Sequence, residues 1–272
     1  MTIKICIDAG HYGNYNASPA VKGYFESTMA WTLQGYLKTE LEKRGMSVIT
    51  TRTNKELDKP LFERGRASKG CDLFISLHSN AAAGGIRDDV DYPVAFVQTN
   101  GSSTELGTQL AKVIEDTMNT KQAGKVIAKE GAYGDYFEVL RGSASVKTPG
   151  ILLEHSFHTN TKATKFLLDS NNLKKLAIAQ ANCIQKYFNV STPPTSSNGT
   201  NVSEYKVRVE IDYLKIRKGP GTNHEILGTT GIGAFTIVAE ADGKGATKWG
   251  LLKSYASKRN GWISLDYATK VK

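Results

Sequence analysis

The sequence predicts an α/β domain with a mostly parallel, twisted sheet flanked by helices, followed by a small all-β domain. In the first part of the chain, short runs of β-branched and large apolar residues alternate with segments of helical periodicity. A segment composed only of Ser, Thr, Pro, Asn and Gly then spans residues 191–201. After it, short alternating segments are punctuated by glycine, as in small β-barrels. These observations predict a first domain at 1–190, a flexible linker at 191–204 and a second domain at 205–272.

The first domain is predicted to begin with a buried strand ending near Asp8, followed by a helix that starts at Glu26. Apolar residues recur at helical spacing from Ala30 to Leu41, and Gly45 is a helix stop signal. The remaining predicted elements are a strand at 47–51, a helix at 61–70, strands at 72–78 and 94–99, a helix at 106–119, a strand at 150–154 and a helix at 173–188. In the second domain, short strands are predicted at 213–217, 234–239, 248–253 and 261–264.

The charge of the chain is unevenly distributed, which bears on its partners. The 272 residues carry a formal net charge of +9, and residues 205–272 account for +6 of it. Nucleic acid, anionic membranes and anionic wall polymers could all attract such a surface, and a merely solvated basic surface has the same composition. No helix-turn-helix, zinc-finger or aromatic RNA-binding motif accompanies the charge, so we expect no nucleic-acid partner.

Neither a membrane span nor a secretory signal is recognisable in the sequence. No run approaches the roughly 18 consecutive apolar residues that cross a bilayer, so we expect no membrane insertion. The N-terminal residues lack the apolar stretch of about 7–15 residues and the small-residue cleavage site of a signal peptide. We therefore expect the protein to be cytoplasmic on synthesis.

Two histidines follow the apolar strand patterns and indicate a functional site. His11 comes after the first strand, and His78 ends the strand at 72–78. Ligands of open α/β sheets bind outside the carboxyl ends of the strands, so we expect both imidazoles to lie at the edge of the sheet where such a binding site forms. Neutral imidazole is the commonest metal ligand, although histidines at such places also serve as hydrogen-bonded loop or core residues.

Glu26 would complete a set of three metal ligands. It opens the first predicted helix, where the helix dipole favours a carboxylate in any protein. The same position also directs it toward the sheet edge at which His11 is expected. Catalytic zinc sites use three protein ligands of these types and keep a fourth position for water. The three residues are scattered along the chain, so their spacing alone is not diagnostic.

Glu154 is the candidate proton carrier, because it ends the apolar run of the strand at 150–154. A carboxylate at a buried strand end is costly unless it is paired or functional. Beside an activated water it could act as general base and then as general acid, and the alternative is a structural ion pair. His155 and His158 are rival ligand candidates. Adjacent strand residues point to opposite faces, so at most one of Glu154 and His155 would face the site.

Several motifs, taken together and in order, resemble a known enzyme family. They are residues 7–11, Glu26, residues 51–52, residues 74–81, residues 139–141 and residues 149–160. Over residues 1–188 the chain resembles zinc-dependent N-acetylmuramoyl-L-alanine amidases of the amidase-3 type. The resemblance implies one zinc ion held by His11, Glu26 and His78, with Glu154 as the catalytic residue. The implied reaction is cleavage of the amide between the lactyl group of muramic acid and the L-alanine of the stem peptide.

The chain also departs from that family's pattern. Ala9 stands where proline is usual, His155 stands where a small residue is common, and the loop after His11 lacks the usual run of glycines. These departures bear on substrate preference more than on zinc binding.

Residues 214–222, together with Trp249-Gly250 and residues 261–263, look like a bacterial SH3-like domain. The resemblance implies binding to cell-wall peptide or polymer. Trp249, Trp262, Tyr255 and Tyr267 could line a groove there, whereas in so small a barrel both tryptophans could equally be core residues.

A wall hydrolase without a signal peptide resembles a bacteriophage endolysin, which waits in the cytoplasm and causes bacteriolysis after the membrane is permeabilised. A host autolysin exported by another route is an alternative origin. Two alternative functions also stay open: a zinc peptidase acting on stem or cross-bridge peptide bonds, and a non-catalytic wall-binding protein with the same fold.

Overall fold

The structure is a computed structural model that describes residues 2–190, 200–253 and 261–271. The chain divides into two compact units, Met1–Ser191 and Thr192–Lys272. Residues 191–199 of the predicted linker lie outside the described residues, as does Tyr255. Within the described ranges, no helix is both long and apolar enough to cross a membrane.

The first unit is built around a six-stranded sheet with the strand order β2-β1-β3-β8-β4-β5. Neighbouring strands are parallel except for β4, which runs antiparallel to β8. This confirms the predicted α/β domain with a mostly parallel sheet. The elements are β1 (Lys4–Ala9), α1 (Glu26–Lys43), β2 (Ser47–Thr50), α2 (Leu61–Arg66), β3 (Leu73–Asn80), β4 (Val94–Val97), α3 (Thr104–Met118), β5 (Lys125–Ala128), β6 (Glu130–Gly131), β7 (Gly134–Asp135), α4 (Glu138–Ser145), β8 (Gly150–Phe157), α5 (Thr161–Leu168) and α6 (Ser170–Tyr187).

The two faces of the sheet are buried separately, which explains the continuous apolar runs of its central strands. In β1, Ile5 and Ile7 belong to the main core together with residues of α1, α3 and α6. Cys6, which points to the opposite face, packs with Phe74 and Leu140 under α4. A strand covered on both faces reads as a near-continuous hydrophobic run rather than as an alternation.

Strand β8 extends beyond the predicted boundary at residue 154, and all eight of its residues are buried. The polar residues from Glu154 onward end the apolar run, and the sequence prediction therefore stops there. The pairing of β8 with β3 shifts between His78 and Asn80, and Ser156 lies at this irregularity with a φ of 60°. This β-bulge re-aims the side chains that follow it.

Other elements also differ from the predictions. Helix α2 ends at Arg66 rather than at residue 70, and β5, β6, β7, α4 and α5 have no counterpart among the predicted elements. The β5 strand is mostly exposed at the edge of the sheet, and β6 and β7 have two residues each. Such short elements carry too few residues for a hydrophobic period to be visible in sequence.

The second unit is an all-β region, as predicted. Its seven-stranded sheet has the order β11-β10-β14-β13-β12-β9-β15, and all of these pairings are antiparallel. Trp249 and Trp262 are buried together with Ala239 and Ala241, so both tryptophans are core residues. The strands are β9 (Thr200–Val209), β10 (Lys215–Arg217), β11 (Ile226–Thr229), β12 (Gly233–Gly243), β13 (Ala246–Leu252), β14 (Trp262–Ser264) and β15 (Thr269–Lys270), with a 3₁₀ turn at Leu265–Tyr267.

Strand β9 begins inside the segment for which the sequence predicts a linker, because Thr200 and Asn201 already pair with Glu240 and Ala239 of β12. Val202 and Tyr205 pack against the core formed by Val207, Ile237 and their neighbours. The first residues of this strand are mostly polar, so the hydrophobic pattern does not distinguish them from the Ser- and Thr-rich segment before them.

Helices α2 and α4 approach each other closely because each has a glycine at the contact. A Cβ atom on Gly65 would lie 2.0 Å from the carbonyl oxygen of Val139, and one on Gly142 would lie 2.2 Å from that of Phe62. Arg64 and Val139 beside this contact both line the cavity at the carboxyl edge of the sheet. The two glycines therefore set the position of one wall of that cavity.

Gly65→Ala is expected to lower the free energy of unfolding by about 1–3 kcal/mol, the usual cost of overpacking, because backbone atoms receive the new methyl group. The matched control is Gly35→Ala in α1, where nothing lies within 4 Å of an added Cβ. There the better helix propensity of alanine predicts unchanged or greater stability. Urea unfolding of both variants measures the difference, and equal stability of the two would contradict the packing argument.

Candidate active site

The candidate site lies where three neighbouring parallel strands end. His11 follows β1 by two residues, His78 lies near the end of β3, and Glu154 lies in β8 opposite His78. Glu26 is the first residue of α1. All four side chains line one cavity of about 400 Å³. The structure therefore brings together the four residues that the sequence analysis singled out.

A close backbone approach brings the two histidines together. Gly10 donates its backbone N–H to the carbonyl oxygen of Leu77 at 3.0 Å. A Cβ atom on Gly10 would lie 2.4 Å from Cε1 of His78, so only glycine fits between the end of β1 and the end of β3. The next residue, His11, adopts a left-handed conformation with a φ of 58°. The ring of His11 then meets that of His78 edge to face, with 5.0 Å between the ring centres.

Glu26 is the centre of the cluster. Its Oε1 lies 2.8 Å from Nδ1 of His78 and 3.1 Å from Nε2 of His11. One ligand atom from each of the three residues can be chosen so that all lie within 4.8 Å of one another. Two imidazole nitrogens and a carboxylate oxygen are the donor types of catalytic zinc sites. Among the described ranges of the chain, this is the one group of three or more such residues with that geometry.

A hydrogen-bonded chain behind His78 fixes which of its nitrogens faces the cluster. The hydroxyl of Ser76 donates to Oδ2 of Asp8 at 2.8 Å and lies 3.1 Å from Nε2 of His78. Since the serine proton goes to Asp8, its oxygen is free to accept from Nε2–H of His78, and Nδ1 of His78 is the nitrogen that faces Glu26. Thr51 donates to the other oxygen of Asp8 at 2.5 Å. Partners of this kind orient metal-binding histidines in proteins.

The carboxylate of Glu26 is held on both oxygens by further donors. The side-chain amide of Asn16 donates to Oε2 at 2.7 Å, and the backbone N–H of Ser79 donates to Oε1 at 3.1 Å. Burial raises the pKa of Glu26, but its hydrogen bonds with His11 and His78 lower it by more, so the net pKa is well below the usual range. Glu26 is therefore an anion in the folded protein.

Glu154 has the opposite electrostatic character. Its Oε2 is buried and has no hydrogen-bond partner among the described residues. Burial, and to a lesser extent the charge of Glu26, raise the pKa of Glu154 well above its usual value. A carboxyl group with a raised pKa in a cavity can take and return a proton near neutral pH.

His155 lies on the other face of β8, as the alternation of strand residues predicts. Its Nδ1 bonds the carbonyl oxygen of His78 at 2.9 Å, and its Nε2 lies 2.9 Å from the side-chain amide nitrogen of Gln180 in α6. Burial lowers the pKa of His155 to about 4. His155 is thus a neutral structural residue that supports the backbone of β3 from behind the site.

His158, in contrast, lines the cavity after the bulge in β8. Its Nδ1 lies 2.8 Å from the carbonyl oxygen of Ser79 and 3.9 Å from Oε2 of Glu26. The ring of Tyr24 stacks on that of His158, and the hydroxyl oxygens of Tyr24 and Ser79 are hydrogen-bonded at 2.7 Å. His158 does not belong to the group of three residues whose ligand atoms converge.

Sequence reasoning missed the residues that support the cluster. Asp8 and Ser76 are polar residues within buried apolar strands, and this anomaly was a usable signal. Asn16 and Ser79 gave no such signal, because their bonds to Glu26 depend on the path of the loop after His11 and on a backbone N–H.

Comparison with known proteins gives consistent results. Residues 5–186 match the family model described as N-acetylmuramoyl-L-alanine amidase. The chain is 27% identical over 216 residues to N-acetylmuramoyl-L-alanine amidase CwlM of Bacillus licheniformis, covering 78% of this chain and 79% of that protein. It is 25% identical over 192 residues to the endolysin of Bacillus phage SPP1, covering 70% of this chain and 68% of that protein. Its fold is similar to the crystal structure of N-acetylmuramoyl-L-alanine amidase from Clostridium difficile 630, with a TM-score of 0.60 and 22% identity over 69% of this chain and 97% of that chain.

His155 makes the stability of the first unit depend on pH with a definite sign. Because its pKa falls from 6.5 to about 4 on folding, the unfolded chain binds a proton in a range where the folded chain does not. The contribution of His155 to the free energy of unfolding is complete above pH 6.5. As the pH falls toward 4, this free energy decreases by roughly 3 kcal/mol.

His155→Gln removes this titration, so the stability difference between wild type and variant should shrink between those two pH values. Urea unfolding at several pH values measures that difference. A difference that stays constant with pH would contradict this role of His155.

Proposed function

Because the chain belongs to the N-acetylmuramoyl-L-alanine amidase family, we propose that it is a peptidoglycan hydrolase that cleaves the amide bond between the N-acetylmuramoyl group and the L-alanine of the stem peptide. One observation carries the proposal: a buried carboxyl group, Glu154, lines the same cavity as the convergent donors of His11, Glu26 and His78. This combination of a metal-type donor set and a proton carrier suits hydrolysis of an amide.

The donor set fits zinc, and we assign one zinc ion to His11, Glu26 and His78. The hydroxyl oxygen of Ser76 can accept from Nε2–H of His78 and so directs Nδ1 toward the site, and the low pKa of Glu26 keeps its carboxylate charged. Bound there, zinc would supply Lewis acidity to a water molecule and to the scissile carbonyl group. His155 and His158 have no part in this assignment, because neither belongs to the group of convergent ligand atoms.

Glu154 is assigned the proton transfers. Its buried and unpartnered Oε2 is available to accept the proton of the attacking water and to return it to the nitrogen of the leaving L-alanine. Its position opposite His78 in the β3–β8 pairing keeps it beside the ligand set without joining it. Leu61, Phe137 and Glu138 also line this cavity.

The second unit is proposed to be an SH3-like cell-wall-binding domain. A cavity of about 370 Å³ on it is lined by the exposed rings of Tyr213 and Tyr267, by Lys215 and by the buried Trp249. Aromatic rings and positive charge suit a wall peptide or an anionic wall polymer. Joined to the first unit, such a module raises the enzyme's local concentration at an insoluble substrate.

We further propose the biological role of a phage endolysin, which is cytoplasmic on synthesis and reaches the wall after membrane permeabilisation. The similarity to the endolysin of Bacillus phage SPP1 supports this role. The similarity to the Bacillus licheniformis amidase is compatible with a host enzyme, so the assignment to a phage rests on the endolysin relative.

Two substitutions separate metal binding from proton transfer. Glu154→Gln is expected to keep the zinc content and lower the rate of wall lysis by about 100-fold or more, because general acid–base catalysis contributes on that scale. His78→Ala is expected to lose both zinc and lysis, because it removes a ligand. Turbidity of purified Gram-positive walls and metal analysis of the purified proteins measure the two effects.

The released groups identify the bond that is cut. Wild type should release new amino groups on alanine, and a chelator should abolish their release. New amino ends on other residues would favour the zinc peptidase. Wall binding without lysis in wild type would favour the non-catalytic wall-binding protein. Unchanged lysis by Glu154→Gln would remove Glu154 from the mechanism.

The wall-binding role of the second unit is tested in the full chain that carries Glu154→Gln, so that the walls stay intact. Tyr213→Ala and Tyr267→Ala are each expected to weaken wall retention about 3- to 10-fold, because each removes an aromatic surface from the cavity. Ile232→Ala is the matched control, since Ile232 is 64% exposed and Tyr213 is 65% exposed, but Ile232 does not line the cavity. Equal retention by all of these proteins in a co-sedimentation assay would contradict the assignment.

A further inference from the structure

The loop that follows His11 presents two tyrosines beside the candidate active site. Tyr12 is 39% exposed and Tyr15 is 50% exposed. The ring of Tyr15 stacks on that of His11, with 5.1 Å between the centres and 14° between the planes. The ring of Tyr12 stacks in turn on Tyr15, at 6.0 Å and 26°. The two tyrosines, here called the tyrosine platform, therefore extend the cluster outward as a row of nearly parallel rings.

The loop that carries the platform is fixed to the rest of the unit. The hydroxyl of Ser27 accepts from the backbone N–H of Tyr15 at 2.8 Å and donates to the carbonyl oxygen of Gly13 at 2.8 Å. Gly13 also donates its backbone N–H to the carbonyl oxygen of Lys55 at 3.0 Å. Asn16, at the end of the same loop, bonds Glu26. Binding on the platform would therefore cost little ordering of the backbone, and its position relative to Glu26 is set by the protein.

The chemistry of the loop favours a neutral ligand. Residues 12–18 contain tyrosine, glycine, asparagine, alanine and serine, and no charged side chain. The nearby Lys55 donates to Oδ1 of Asn14 at 3.0 Å and to the hydroxyl of Thr28 at 3.3 Å. Recognition of the carboxylates of a stem peptide would call for guanidinium or ammonium groups directed at the ligand. Rigid tyrosines with neighbouring amides instead suit a ligand with an apolar face and hydroxyl groups.

We propose that the tyrosine platform binds a neutral sugar ring of the glycan strand and thereby places the lactyl amide over the candidate metal site. The inference rests on the proposed function, because only a substrate cut next to a sugar would bring a pyranose ring this close to His11. The platform positions the substrate and does not take part in the chemical step. Its loss should therefore raise KM on glycan substrates and leave kcat nearly unchanged.

The kinetic test compares two substrates that share the same scissile amide. One is a soluble glycan strand with uncross-linked stem peptides, and the other is a lactoyl-L-alanyl peptide without any sugar. Tyr12→Ala and Tyr15→Ala in the full zinc-loaded chain are expected to raise KM about 3- to 10-fold on the glycan strand and not on the lactoyl peptide. Tyr12→Phe and Tyr15→Phe should keep the wild-type KM, because the ring remains.

The controls separate the platform from damage to the metal site. Leu168→Ala at the end of α5 removes a side chain that is also 50% exposed but does not line the cavity, and it should leave both substrates unaffected. Zinc content is measured for each variant, because Tyr15 touches His11. Equal effects of the tyrosine variants on the two substrates, or no effect on either, would overturn the inference.

A binding measurement keeps the inference testable even if the proposed reaction is wrong. In the full chain carrying Glu154→Gln, a tetramer of β-1,4-linked N-acetylglucosamine is titrated by calorimetry before and after the added substitution Tyr12→Ala. Weaker binding after the substitution supports the platform. Unchanged binding, or no binding to either protein, overturns it. Failure of the proposed function alone would appear as intact sugar binding without release of alanine amino groups.

Discussion

Burial of the Glu26 carboxylate is the interaction on which the candidate site depends. An isolated buried carboxylate is strongly unfavourable and persists only when it is paired and fully hydrogen-bonded. Here two imidazoles, the amide of Asn16 and the backbone N–H of Ser79 all converge on it. His11 and Asn16 come from the loop after β1, and His78 and Ser79 come from the end of β3, so one charged group holds that loop, the end of β3 and the start of α1 together.

The sheet supplies the framework that makes this convergence possible. Parallel strands β1, β3 and β8 end at the same edge, and the glycine at position 10 lets the backbone of β1 pass against the ring of His78. Glu26 and Glu154 then differ in protonation because they differ in partners. The first is surrounded by donors, and the second is buried with an unpartnered oxygen near the charge of the first. Two carboxyl groups separated in pKa in this way are the usual arrangement for dividing two roles in one site.

Local patterns in the sequence predict the strands of the sheet and the functional residues at their ends. They do not predict contacts that depend on how loops run or on the register between strands. His11, Glu26 and His78 stand at strand ends and at a helix start, which hydrophobic periodicity locates. The bulge at Ser156, which brings His158 to the cavity, follows from a register shift that no local pattern encodes. The contact between Asn16 and Glu26 likewise depends on the course of the loop, and the edge strand β5 is too short and exposed to show a period.

The central claim is that His11, Glu26 and His78 together hold the metal. X-ray diffraction from crystals of the full chain grown with zinc, measured on both sides of the zinc absorption edge, tests it most directly. The account predicts one strong anomalous peak within about 2.0–2.2 Å of Nδ1 of His78, a nitrogen of His11 and a carboxylate oxygen of Glu26. A peak bound instead through His155 or His158, or no peak at this edge of the sheet, would contradict it.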